Sequence, residues 1–160
     1  MFPTKNDLSA ETRTSMVKLL NERLADCLDV ALQAKQAHWN VKGPSFIALH
    51  ELFDDVADML RDHSDTIAER ATALGGVAEG TVQSIAGRSK LPAYPLTLRS
   101  GIDHVAALAT SLAAFGKSVR AAIETAEKAG DAGTADLFTG VSRDVDQKLW
   151  FVEAHTQAER

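Results

Sequence analysis

Lys35-Gln36-Ala37-His38-Trp39-Asn40-Val41-Lys42-Gly43-Pro44-Ser45-Phe46-Ile47-Ala48-Leu49-His50 decides how this chain folds. Residues 41–45 carry a Gly-Pro stop signal between two long helical patterns. Upstream, Met16, Val17, Leu19, Leu20, Leu24, Cys27, Leu28 and Ala31 recur at helical spacing. That helix is expected to start near Ser9 or Thr12, with Glu11 supporting its first turn, and to run to about residue 40. Downstream, Leu49, Phe53, Val56, Leu60, Ile67 and Ala71 make an apolar stripe on a helix over residues 46–74, which Gly75-Gly76 ends. So short a connection folds the second helix back antiparallel on the first.

Residues 75–100 are less regular and rich in Gly, Ser and Pro, with a short helix expected at Val82-Gln83-Ser84-Ile85. Such a long crossover sets the second and third helices of a bundle parallel. A third helix is expected over 101–129, a turn at Gly130-Asp131-Ala132-Gly133, and a fourth helix over 134–155 with Leu137, Val141, Val145, Leu149 and Val152 at fourfold spacing. Four long helices with one long middle connection predict an all-α, ferritin-like four-helix bundle. The expectation is one domain across residues 1–160, with short tails at about 1–8 and 156–160.

The 160 residues carry a formal net charge of −5, the sign opposite to that of a folded body that binds nucleic acid. The N-terminal residues show no charged segment followed by an apolar run, and no 18 consecutive apolar residues occur. A cytoplasmic protein without a membrane span is expected. The single cysteine, Cys27, fits a reducing compartment and reads as a small core residue.

The second helix holds the candidate chemistry. At about 100° per residue, with His50 at zero, Asp54 falls near 40°, Asp65 near 60° and Glu69 near 100°. Charges on one helical arc are ordinarily a solvated face, but this arc adjoins Leu49, Phe53 and Leu60 and includes a histidine. Imidazole with carboxylates suits iron, manganese or zinc. His50 and Asp65 lie about 22 Å apart along the helix, so no single ion touches both pairs. A second copy of the helix running antiparallel, with a two-fold axis near Met59 and Leu60, would unite them. His38, level with His50 across the hairpin, joins the same set. His63 points to another side and is expected to be exposed, and surface or dimer-contact positions are the default for His104 and His155. Trp39 reads either as a structural anchor or as an electron donor beside the metal.

The segments from Lys35 to Gly43 and from Phe46 to Asp54, with Asp65-Thr66-Ile67-Ala68-Glu69-Arg70 and Leu74-Gly75-Gly76, resemble the signature of the Dps family, the DNA-binding proteins from starved cells. Thr134-Ala135-Asp136-Leu137-Phe138-Thr139, Ser142-Arg143-Asp144-Val145-Asp146 and Leu149-Trp150-Phe151 resemble the family's last helix. The resemblance implies a hollow dodecamer built from C2 dimers. Its members oxidise Fe(II), preferably with hydrogen peroxide, and store ferric iron, which protects against oxidative damage. His38, His50 and Asp54 match iron ligands from one subunit of a dinuclear site, Asp65 and Glu69 match those from the two-fold partner, and Trp39 matches a tryptophan beside the site. Asp131 and Asp136 match acids of the iron-entry pores. Glu51 and Asp55 match cavity acids that nucleate mineral, or are plain solvated acids.

The family's DNA condensation relies on tails rich in Lys and Arg, which are weak here. Lys5 and Arg13 stand against Asp7 and Glu11, and Arg160 lies beside Glu159. A dodecamer multiplies the charge of −5 twelvefold, which repels phosphate. The alternative reading is a nucleoid-associated protein that binds and condenses DNA, with iron oxidation secondary. An ordinary ferritin or bacterioferritin would carry Glu-x-x-His, and no Glu here is followed by His three residues on.

Overall fold

The computed structural model describes residues 1–157. Five helices occur among them: α1 (Ala10–Asn40), α2 (Phe46–Ala73), α3 (Val82–Arg88), α4 (Gly101–Lys128) and α5 (Ala132–Ala154). Side-chain caps open α1, α4 and α5. Ser9 accepts from the Thr12 amide, Ser100 from the Asp103 amide and Asp131 from the Thr134 amide. The last of these starts α5 two residues before the expected position. Gly75 takes φ +86° just beyond the end of α2, where a side-chain-bearing residue would be strained.

Two contacts set the topology. Gly101, opening α4, lies against the Leu49 side chain and the Lys42 carbonyl, so α4 starts where α2 starts. Arg70, near the end of α2, pairs with Asp131 at the head of α5, so α5 runs back along α2. Helices α2 and α4 are thus parallel, as the crossover length predicts, while α1 packs on α2 and α4 on α5. The apolar stripe of α2 is buried along its whole length, and Phe53, Phe115 and Phe138 fill the centre with no exposure. Cys27 is a core residue whose thiol donates to the Leu60 carbonyl at 3.2 Å, and burial pushes its pKa up.

Polar residues of α1 pin the crossover against the bundle. Asn21 donates to the Val77 carbonyl and accepts from the Glu79 amide, at 2.9 and 2.8 Å. Asp26 accepts from the Lys90 amide at 2.9 Å. Asp29 accepts from the Ser89 hydroxyl, and Gln33 donates to the Pro92 carbonyl and accepts from Ser111. Buried backbone of an irregular segment must find partners, and these side chains supply them.

Two expectations are corrected. His104 is 2% exposed, with Nδ1 at 2.7 Å from the Tyr94 hydroxyl, because the crossover lies over that face of α4. His63 is half-buried, with Nε2 at 2.9 Å from Asp144 of α5. Its side of α2 meets a helix instead of solvent. Trp39, for which the sequence left two roles open, is 65% exposed. The expected N-terminal tail is tied down, since the Phe2 amide donates to the Gly75 carbonyl at 2.6 Å. Of the expected C-terminal tail, residues 158–160, including Glu159 and Arg160, lie outside the described residues.

Candidate metal centre

The α1–α2 hairpin brings His38 and His50 face to face, with ring centroids 3.7 Å apart and planes at 20°. Their hydrogen bonds are reciprocal. His38 Nδ1 donates to the His50 carbonyl at 2.7 Å, and His50 Nδ1 donates to the His38 carbonyl at 2.9 Å. A carbonyl only accepts, so each ring carries its proton on Nδ1 and leaves Nε2 as the lone-pair donor. The His38 carbonyl sits in the last turn of α1, where helix carbonyls lack intrahelical partners. His50 thus closes the end of α1 while fixing its own tautomer. Phe46 lies against the outer ring, 5.1 Å from His50 between centroids.

Asp54 stands one turn beyond His50 and is partly exposed, with the Lys35 ammonium bonded to one carboxylate oxygen. That hydrogen bond holds the Asp54 carboxyl below its ordinary pKa, with the nearby His38 acting in the same direction. The reading of the sequence missed Lys35. The hairpin register that pairs His38 with His50 also pairs Lys35, one turn earlier on α1, with Asp54, so the signal was present. The Lys35 ammonium also lies 5.9 Å from the centroid of the Trp39 ring.

Asp65 and Glu69 lie exposed further along α2 and do not join His38, His50 and Asp54 within one chain. Among the described residues no three His, Cys, Asp or Glu side chains converge closely enough to hold a metal ion. The donor types nonetheless suit a borderline metal such as iron: two imidazole nitrogens already aimed by carbonyls, and a carboxylate beside them. Glu51 is exposed, and Asp55 is engaged by Lys148 of α5.

The two expected pore acids differ. Asp136 is exposed, whereas Asp131 is 2% exposed and committed inward. Its carboxylate accepts from the Thr134 amide at 3.0 Å and from Arg70 at 2.6 Å. Burial pushes the Asp131 carboxyl up, but the bonds from Thr134 and Arg70 outweigh it and hold the group below its usual value. In the subunit, Asp131 is a cap and an ion-pair partner, whereas Asp136 is an exposed side chain on α5.

Comparison with known proteins agrees with this architecture. The family profile described as a ferritin-like domain matches residues 17–160. A DNA protection during starvation protein of Agrobacterium fabrum is 48% identical over 96% of this chain and 95% of its own length. The structure of DpsA14 from Streptomyces coelicolor superposes with a TM-score of 0.92 at 39% identity, covering 97% of this chain and 92% of that one. A tetragonal form of Mycobacterium smegmatis Dps gives 0.93 at 30% identity, covering 99% and 95%. With a ferritin-like profile over nearly the whole length and close relatives bearing the Dps name, this chain belongs to the Dps family.

Proposed function

We propose that the chain is a mini-ferritin subunit that oxidises Fe(II), preferably with hydrogen peroxide, and stores ferric iron in a dodecameric shell assembled from C2 dimers. Membership of the family supports iron storage and DNA protection as the general role. The observation that carries the reading is the His38–His50 pair, whose two Nε2 atoms are freed by reciprocal bonds to backbone carbonyls. Asp54 completes one half of the site, and the partner subunit's Asp65 and Glu69 complete the other half. Such a set takes two Fe(II) ions as substrate. Each Fe(II) loses one electron, peroxide accepts both, its O–O bond breaks, and two protons complete two waters. Two electrons delivered together leave no hydroxyl radical, and the carboxylates stabilise the ferric charge. Trp39, next to His38 in sequence and exposed, is read as a candidate electron donor to the site.

Anaerobic Fe(II) titration followed by peroxide, with assembly size measured on the same sample, tests the reading. Asp54→Ala and Glu69→Ala are each expected to lower fast peroxide-dependent oxidation at least tenfold, since loss of an outer-shell partner of a metal site alone costs about 10–100-fold, with the shell intact. Wild-type rates in both variants would overturn the site.

Direct DNA condensation is the second reading, raised by the A. fabrum relative, a DNA protection during starvation protein. Two features weigh against it. The net charge is negative, and Arg13 of the N-terminal region is spent on the Leu8 and Leu74 carbonyls. Removal of Fe(II) and peroxide protects DNA without touching it. DNA retention in a gel at moderate salt without added metal would restore the second reading.

A further inference from the structure

The crossover is fastened unevenly. Asn21, Asp26, Asp29 and Gln33 of α1 hold its first part, the last of them reaching the Pro92 carbonyl. Between Ala93 and Arg99, among the described residues, a single hydrogen bond reaches the rest of the fold. It joins the Tyr94 hydroxyl to His104 Nδ1 at 2.7 Å. No residue of this stretch is buried, and only Tyr94 and Leu98 are half-buried. A pocket of about 180 Å³, lined by Pro92, Tyr94, Pro95, Ala107 and Ser111, separates part of it from α4. Little packing therefore opposes its lifting.

His104 sits in the first turn of α4, at the positive end of the helix dipole. Its ring is buried, and Nε2 has no hydrogen-bond partner. Whichever nitrogen carries the proton of the neutral ring, a second proton leaves a buried charge with Nε2–H unpaired. Burial pushes the His104 pKa below its ordinary value, and Asp103, beside it on α4, pulls the other way without cancelling this. Tyr94 faces the ring from the crossover, and burial raises its pKa, so it stays a neutral phenol. Among the described residues no charged side chain of α1, α2 or α5 pairs with the ring.

We infer that the Tyr94–His104 pair is an acid-released latch, which in mild acid lets residues 93–99 lift from α4 while the first part of the crossover stays anchored to α1. The latched ring is neutral, and it gains its proton when the stretch lifts and water reaches Nε2. Latching is therefore fully present above the ordinary histidine value of about 6.5. As pH falls below that value the opening equilibrium rises, by up to tenfold per pH unit, until the latched ring itself titrates.

Tyr94 is the only tyrosine of the chain, so it reports on its own latch. Second-derivative ultraviolet absorption of the assembled protein, with assembly size measured on the same samples, follows its exposure between about pH 7.5 and 5. The tyrosine signal should move toward its solvent-exposed value in the wild type and in His155→Gln, and stay constant in His104→Gln, where a neutral amide replaces the ring. A second variant reads the same latch at neutral pH. Tryptic cleavage after Arg99, located by mass spectrometry, should rise about fivefold in Tyr94→Phe, the worth of one ordinary hydrogen bond. A tyrosine signal independent of pH in the wild type, the same transition in His104→Gln, or unchanged cleavage in Tyr94→Phe would overturn the latch.

Discussion

At Asp54 the Lys35 ammonium occupies the carboxylate that the proposed site would offer to a metal ion. Lys35→Gln removes the competitor. Affinity for Zn(II), a redox-inert probe, should rise roughly two- to fivefold, the range worth one exposed ion pair. The same bond holds the Asp54 carboxyl low, so it stays charged further into acid. In Lys35→Gln the carboxyl protonates at a higher pH, and the gain in affinity should shrink in mild acid. Calorimetry near neutrality and in mild acid measures both effects, and unchanged affinity at both would show that Lys35 does not compete. Trp39 teaches a related lesson. Its neighbour His38 turns inward while Trp39 remains exposed, because adjacent helical residues point about 100° apart.

Elements are tied together where their ends meet, and the joint between α2 and α5 is the clearest case. Arg70 bonds both Thr134 and Asp131, while Asp131 caps α5. Asp131→Ala removes the cap and leaves Arg70 unpaired, a loss of about 2–3 kcal/mol of stability. The pH dependence has a definite sign. Because the folded pKa is depressed, the Asp131 contribution is present above the ordinary aspartate value of about 3.9 and disappears as pH falls through the lower folded value. Thermal melts through the acid range should therefore be flatter for Asp131→Ala than for the wild type. Asp136 is exposed and has no such duty. Asp136→Ala should slow iron entry at unchanged stability, measured by stopped-flow oxidation, and a matching loss of stability would contradict the division of roles.

The whole molecule matters because one chain holds only half of the proposed site. Asp54→Ala and Glu69→Ala damage opposite halves. In a dimer with one copy of each variant, one site carries both lesions and the other carries none. Equal, randomly mixed subunits should therefore regain about one-quarter of the wild-type sites, since half of the two-fold pairs are mixed. Oxidation assays on shells refolded from the mixture test this. No recovery above either parent would place all five ligands in one chain or break the two-fold arrangement.

The sequence by itself determined the helices, the hairpin register and the parallel placement of α2 and α4. Those features rest on local signals: apolar spacing, Gly-Pro and Gly-Gly stops, and loop length. It also determined the face shared by His50, Asp54, Asp65 and Glu69, because helical period alone sets that. Tertiary structure decided what each face meets. His63 found Asp144 and His104 found Tyr94, although helical angle suggested an exposed position for the first and distance in sequence a surface position for the second. Asp131 turned inward to Arg70. Asn21, Asp26, Asp29 and Gln33, unremarkable polar residues on α1, became the anchors of the crossover. Helical period reports direction relative to a residue's own axis. The identity of the group across the gap depends on packing between segments some 60 or more residues apart, as for Asp26 and Lys90, and no local pattern encodes that.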